Sequence, residues 1–169
     1  MKILMVRHAK ALDRDAWSAQ QKKDMDRPLS PSGIEEFLLI AKRLAKSVDG
    51  VDCILTSPAV RTVQTAEILA QAFQSAEVIE QNVLLQGTPV KQVEKIFRKY
   101  CKQDRVLVVV GHENHFSQIL SYLLTVEDAD CLRFKKGGSA LLQVQNIEGY
   151  MYAQLLWMIT PKLMRSLGS

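Results

Sequence analysis

No apolar run in this sequence approaches the roughly 20 residues that cross a bilayer, and the N-terminal stretch Ile3 to Val6 is cut by Arg7 before it could serve as a secretory core. Cysteine is scarce. Cys53, Cys101 and Cys131 are odd in number, far apart and in no C-x-x-C pair, so they read as buried or incidental thiols in a reducing compartment. The basic pairs Lys22-Lys23, Lys42-Arg43, Arg98-Lys99 and Lys135-Lys136 are dispersed and almost without aromatic neighbours. A net charge of +4 and a pI near 9.0 therefore describe a solvated basic surface rather than a nucleic-acid face. Such a surface suits an anionic substrate or an acidic protein partner. Internal repeats, low-complexity tracts and linkers are also missing. With 47% hydrophobic and 24% charged residues, positions 1–169 are expected to fold as one cytoplasmic domain, with no membrane or nucleic-acid partner.

What is present is an alternation. Strand-like runs rich in Val, Ile and Leu occur at KILMV, VDCILTS, RVLVVVGH, SALLQVQ and AQLLWMIT, with helical periodicity between them. After RPLSPSG, the residues Ile34, Phe37, Leu38, Ala41 and Leu44 recur at helical spacing, with Ser30 as the expected cap and Pro31 at the first helical position. SPAVRTVQTAEILAQAF repeats that grammar, so Ser57 is expected to cap, Pro58 to open the helix, and Arg61 to fall on its first turn. Further helices are expected from about Pro89 to Tyr100 and from about Asn114 to Leu124, while ALDRDAWSAQQKKDMD reads as a polar surface loop. The fold class is α/β: three layers, with a mostly parallel central sheet covered on both faces.

In such sheets ligands bind beyond the carboxyl ends of the strands. The first strand ends in Arg7-His8, the second is followed by TSPAVR, and the RVLVVV strand ends in Gly111-His112. Two arginines, two histidines and a helix N-terminus brought together there would form a site for a phosphoryl dianion. Surrounding positive charge disfavours a further proton on imidazole, which stays neutral and nucleophilic. Neither metal nor cofactor is required by that chemistry. His112 and His115 with Glu113 do not have the spacing of H-E-x-x-H, and the arginines would repel a cation.

LMVRHAKA resembles the Arg-His signature of the histidine phosphatase superfamily, ILTSPAVRTVQTAEIL its second motif, and VVVGHENHFSQIL the motif around its second histidine. With DRPLSPSG and LLWMITPKLM, the chain is most similar to the short phosphohistidine phosphatases of the SixA type, over nearly its whole length. The resemblance implies a phosphoglycerate mutase-like fold. It also implies His8 as nucleophile, Arg7 and Arg61 as ligands of the phosphoryl oxygens, His112 as transition-state stabiliser, and Arg27 in the pocket lining. Asp24 matches a candidate proton donor of the family, and Asp26 lies close enough to compete for that role. Two departures stand out: Ala9 replaces the usual glycine after Arg-His, and Glu113, Asn114 and His115 replace a Gly- or Pro-containing turn.

Larger superfamily members carry an inserted segment whose glutamate protonates the leaving oxygen. Between Arg61 and His112 there is room for a helix, a short strand and another helix, and Glu67, Glu77, Glu80 and Glu94 sit in no recognisable acid motif. An imidazole leaving group needs that proton far less than an alkoxide does. The expected substrate is therefore phosphohistidine on a signalling or phosphotransfer protein, such as a histidine phosphotransfer domain or phosphocarrier. Small phosphomonoesters, or phosphate-dependent binding without turnover, are the alternatives. Trp17 fits either a partner contact or an anchor for its own loop.

Overall fold

The structure is a computed structural model that describes residues 1–74, 76–125, 132–147 and 150–167. In chain order it contains β1 (Lys2–Arg7), α1 (Arg14–Ser18), α2 (Pro31–Ser47), β2 (Val51–Thr56), α3 (Val60–Ala72), β3 (Glu77–Glu80), α4 (Val90–Tyr100), β4 (Val106–Gly111), α5 (His115–Thr125), β5 (Ser139–Ile147), β6 (Tyr150–Ile159) and α6 (Pro161–Ser166). The six strands form one sheet in the order β3-β2-β4-β1-β5-β6. The first four are parallel, and β5 and β6 are antiparallel additions.

Period-two alternation divides the core. Ile3 and Met5 of β1 face a cluster with Phe97, Phe116 and Leu120 from α4 and α5, while Leu4 and Val6 face Phe37, Leu44 and Leu69 from α2 and α3. Each fully buried aliphatic side chain of this kind contributes about 1.5–3 kcal/mol relative to exposure. β4 is buried along its whole length, as a strand covered on both faces must be.

Helix α2 begins as its sequence dictates: the Ser30 hydroxyl accepts from the Gly33 amide and Pro31 occupies the first turn. Helix α3 does not. It starts at Val60 with Ala59 as cap and no side-chain capping bond, because the Ser57 hydroxyl is turned to His112 instead. Arg61 nevertheless stays in the first turn. The polar stretch 11–26 is also more ordered than a plain loop. Asp13 accepts from the Asp15 and Ala16 amides to cap α1, and a 3-10 turn covers Asp24–Asp26. Both elements are too short for periodicity to reveal.

Among the described residues, no helix is long and apolar enough to cross a membrane. Cys53 is buried and Cys101 half-buried, and neither is in a disulfide. Burial pushes the Cys101 thiol up to about 12, away from thiolate chemistry. Cys131 lies outside the described residues.

Candidate active site

Strands β1 and β4 are neighbours, yet β1 leads to α2 on one face and β4 to α5 on the other, so a crevice opens beyond their carboxyl ends. Arg7 pairs in register with Gly111, and the His8 amide donates to the Gly111 carbonyl at 3.0 Å. That register sets His8 beside His112, with ring centroids 5.4 Å apart. Gly111 has to be glycine here, since a Cβ would stand 2.4 Å from the Phe116 ring. The resulting cleft, of about 630 Å3, is lined by Arg7, His8, Arg27, Arg61 and His112 among others.

The His8 Nδ1 atom lies 2.7 Å from the Ala9 carbonyl. A carbonyl only accepts, so Nδ1 carries the proton and Nε2 presents its lone pair. Burial, and then the charges of His112, Arg61 and Arg7, outweigh the bond to Ala9 and lower the His8 pKa to about 2. The ring is therefore neutral at physiological pH. His112 is treated similarly: burial and then Arg61, with Asp24 opposing, bring it to about 3. Its Nδ1 stands 3.4 Å from an Arg61 terminal nitrogen, which can only donate, and its Nε2 stands 2.9 Å from the Ser57 hydroxyl. In this arrangement Nε2–H donates to Ser57. The Ser57 hydroxyl, which both donates and accepts, serves here as the acceptor.

Arg61 is aimed by Asp24. One terminal nitrogen donates to the Asp24 backbone carbonyl at 2.7 Å and the other pairs with its carboxylate at 3.0 Å. The same carboxylate holds Arg27 at 2.9 Å and Arg14 at 3.6 Å. Burial favours a proton on Asp24, but the hydrogen bond from Arg27 and the fields of Arg61, Arg27 and Arg14 prevail, and the carboxyl is held below its usual range. Asp24 is thus an ionised anchor at this site and stores no proton. Asp26 is exposed and absent from the cleft lining. Arg27 is buried, with its fork engaged by Asp24 and the Leu12 carbonyl. Arg7 donates to the Phe134 carbonyl. Among the described residues, the buried Nε–H groups of Arg7 and Arg61 have no hydrogen-bond partner, an expense of about 1–3 kcal/mol each.

This geometry meets independent likenesses. Residues 3–85 match the sequence model described as the histidine phosphatase superfamily, branch 1. An uncharacterized protein of a Picosynechococcus species is 30% identical over 165 residues, covering 96% of this chain and 98% of the relative. The chain belongs to the histidine phosphatase superfamily. Among solved structures, the protein histidine phosphatase SixA complexed with tungstate superposes with a TM-score of 0.78 at 22% identity, over 97% of this chain and 99% of that one. A mycobacterial glucosyl-3-phosphoglycerate phosphatase gives 0.71 at 14% identity, over 94% and 99%. At such identities the likeness is one of fold, and it establishes a phosphoglycerate mutase-like αβα architecture.

Three other residues of this superfamily member are now placed. His115 opens α5 and its Nε2 bonds the Thr88 carbonyl, outside the cleft lining. Trp17 donates its indole N–H to the Lys23 carbonyl and carries Lys22 over its ring, so it anchors its own loop. Glu94 is a structural acceptor for Tyr122, Arg98 and the Met151 amide. Sequence reasoning missed Ser57 as the partner of His112, because a Ser-Pro pair before a helix reads as a cap. It also missed Glu113, Lys10 and Lys136 in the cleft, although the Gly137-Gly138 pair after Lys136 was a turn signal. Among the described residues, no three His, Cys, Asp or Glu side chains group closely enough to hold a metal.

Proposed function

We propose that the protein is a cytoplasmic phosphohistidine phosphatase that strips the phosphoryl group from a histidine displayed on a phosphotransfer or phosphocarrier protein, through a phospho-His8 intermediate. The observation that carries this reading is a contrast at the cleft: a neutral, oriented imidazole at His8 and, at the wall, an Asp24 carboxylate paired with three arginines. The nucleophile is ready, and Asp24, held ionised by its arginines, has no proton to lend. Such a site suits a leaving group that departs without strong acid help.

In the first step the Nε2 lone pair of His8 forms a bond to phosphorus while the phosphorus–nitrogen bond of the substrate breaks. The departing imidazole, protonated on its other nitrogen, leaves neutral. Arg7, Arg61 and His112 take the charge on the equatorial oxygens. Because Nδ1 of His8 keeps its proton, held by the Ala9 carbonyl, the phosphorylated ring is cationic and is itself a good leaving group. Water then attacks phosphorus, Nε2 is released with its lone pair, and inorganic phosphate departs.

A second reading, hydrolysis of small phosphomonoesters, draws support from Glu113, which lines the cleft and has one buried carboxylate oxygen without a partner among the described residues. Its other oxygen accepts from the Ser117 hydroxyl and the Phe134 amide. The deciding experiment is single-turnover trapping with phosphoramidate and with a phosphorylated histidine domain, both labelled on phosphorus, quenched in alkali. Acid-labile, alkali-stable label on His8 with fast phosphoramidate turnover is expected. Turnover without label would mean direct water attack. Faster turnover of sugar phosphates would favour the monoesterase, and neither label nor turnover would leave a phosphate-binding module.

A further inference from the structure

We infer that the mouth of this cleft selects phosphohistidines flanked by acidic residues, whose carboxylates it meets with Lys10 and Lys136. The inference rests on the phosphohistidine reading and adds to it the chemistry of the surrounding surface.

Charge is the first argument. Seven cationic side chains line the cleft, against Asp13 and Glu113 in the lining and Asp24 paired at its wall. A bound phosphoryl dianion leaves the mouth still positive. Arg7 and Arg61 suffice for that dianion, and Arg27 is engaged by Asp24 and Leu12. Lys10 and Lys136 are exposed, line the same cleft, and have no hydrogen-bond or ion-pair partner among the described residues. Partial desolvation at the cleft rim, followed by the fields of Arg7, Arg27, Arg14 and Lys10, lowers the Lys136 ammonium from its ordinary value.

Anchoring is the second argument. The Gly137 amide donates to the carbonyls of both Arg7 and His8, at 3.1 and 3.0 Å, so the turn bearing Lys136 is fastened to the strand end that carries the nucleophile. Gly137 has φ +74°, a conformation that glycine takes without strain. Lys10 follows His8 by two residues. Its carbonyl accepts from the Ser30 amide and hydroxyl, and it lies so close to Gly33 that a Cβ there would come within 2.0 Å. Both lysines thus have fixed backbones and free ammonium ends. Flexible point charges on fixed stems suit carboxylates of varied position better than one rigid ligand. In water such pairs are individually weak and screened by salt, and they act chiefly on encounter.

The test compares two phosphohistidine peptides of equal length, one flanked by Glu and one by Ala, on the wild type and on K10A/K136A. At about 0.05 M salt kcat/KM should favour the acidic peptide roughly tenfold, and at about 0.5 M the preference should fall below about twofold. The double variant should show the same collapse at low salt, with phosphoramidate turnover and Tm unchanged. Equal rates for the two peptides at low salt, or a preference that survives in the variant, would overturn the inference while leaving phosphohistidine as substrate. Faster turnover of tripolyphosphate than of either peptide, lost in the variant, would assign the mouth to small polyanions and overturn it too. If neither peptide is turned over while phosphomonoesters are, the parent reading fails.

Discussion

Two clefts of nearly equal size lie at opposite ends of the parallel strands. One, of about 630 Å3, lies beyond the carboxyl ends of β1 and β4 and contains His8 and His112. The other, of about 650 Å3, lies where α2 and α3 end and β2 begins, lined by Leu39, Lys42, Lys46, Val48, Gly50 and Phe73 among others. Both are cationic, so neither volume nor charge distinguishes them. The difference is burial and convergence. In the first, His8, Arg27, Arg61 and His112 are each at most 5% exposed; Arg61 contacts His112, Arg27 and Arg61 share Asp24, and the His8 and His112 rings lie 5.4 Å apart. In the second, Lys42 and Lys46 point into solvent and Arg43 donates to the Met164 carbonyl. A charged group removed from water acts strongly on its neighbours, whereas a solvated one is screened.

The largest expected break in this comparison comes from His8→Ala, which should cost roughly ten-thousand-fold in kcat or more and abolish trapped label, with a folded protein by circular dichroism. Arg7→Lys comes next. One guanidinium donates to Phe134 and still offers nitrogens to the cleft; an ammonium cannot reproduce that fork, and a loss of roughly 100-fold in kcat/KM is expected. Equal activity of the lysine variant would refute the forked contact.

A pH series sharpens the contrast without mutation. With His8 near 2 and His112 near 3, neither ring should titrate between pH 5 and 8 when followed by NMR, and the rate should show no loss of nucleophile at the ordinary value of 6.5. The sign for stability is the reverse of that for an ion-paired histidine. The unfolded chain takes up protons on these rings below about 6.5 and the folded chain does not, so stability falls as pH drops through that value. Tm at pH 5 should therefore lie below Tm at pH 7.5. Asp24, lowered rather than raised, loses its contribution only around and below the ordinary carboxylate range. The smallest effect belongs to the opposite cleft: K42A/K46A should leave activity within about twofold and stability within about 0.5 kcal/mol.

The two clefts also differ in how far they could be read in advance. Arg7, His8, Arg61 and His112 were legible because each terminates a β-strand run or opens a helix, and the rule for parallel sheets sends those ends to one place. Asp24 was legible as a site residue but not in its role, since a carboxylate in a polar stretch shows its sign and nothing of its three arginine partners. Ser57 was misplaced as a cap, because a local rule was outweighed by a partner 55 residues away. The second cleft left no mark in the sequence at all.

The sequence by itself determined the alternation of strands and helices, the order of the strand ends and the residue types that reach them, because hydrophobic period and turn chemistry are local properties. Only the tertiary structure decided which nitrogen of His8 carries the proton, what Asp24 holds, and that Lys10 and Lys136 line the cleft that contains His8. Those outcomes depend on burial and on contacts between residues far apart in the chain, and neither quantity exists until the sheet has closed around them.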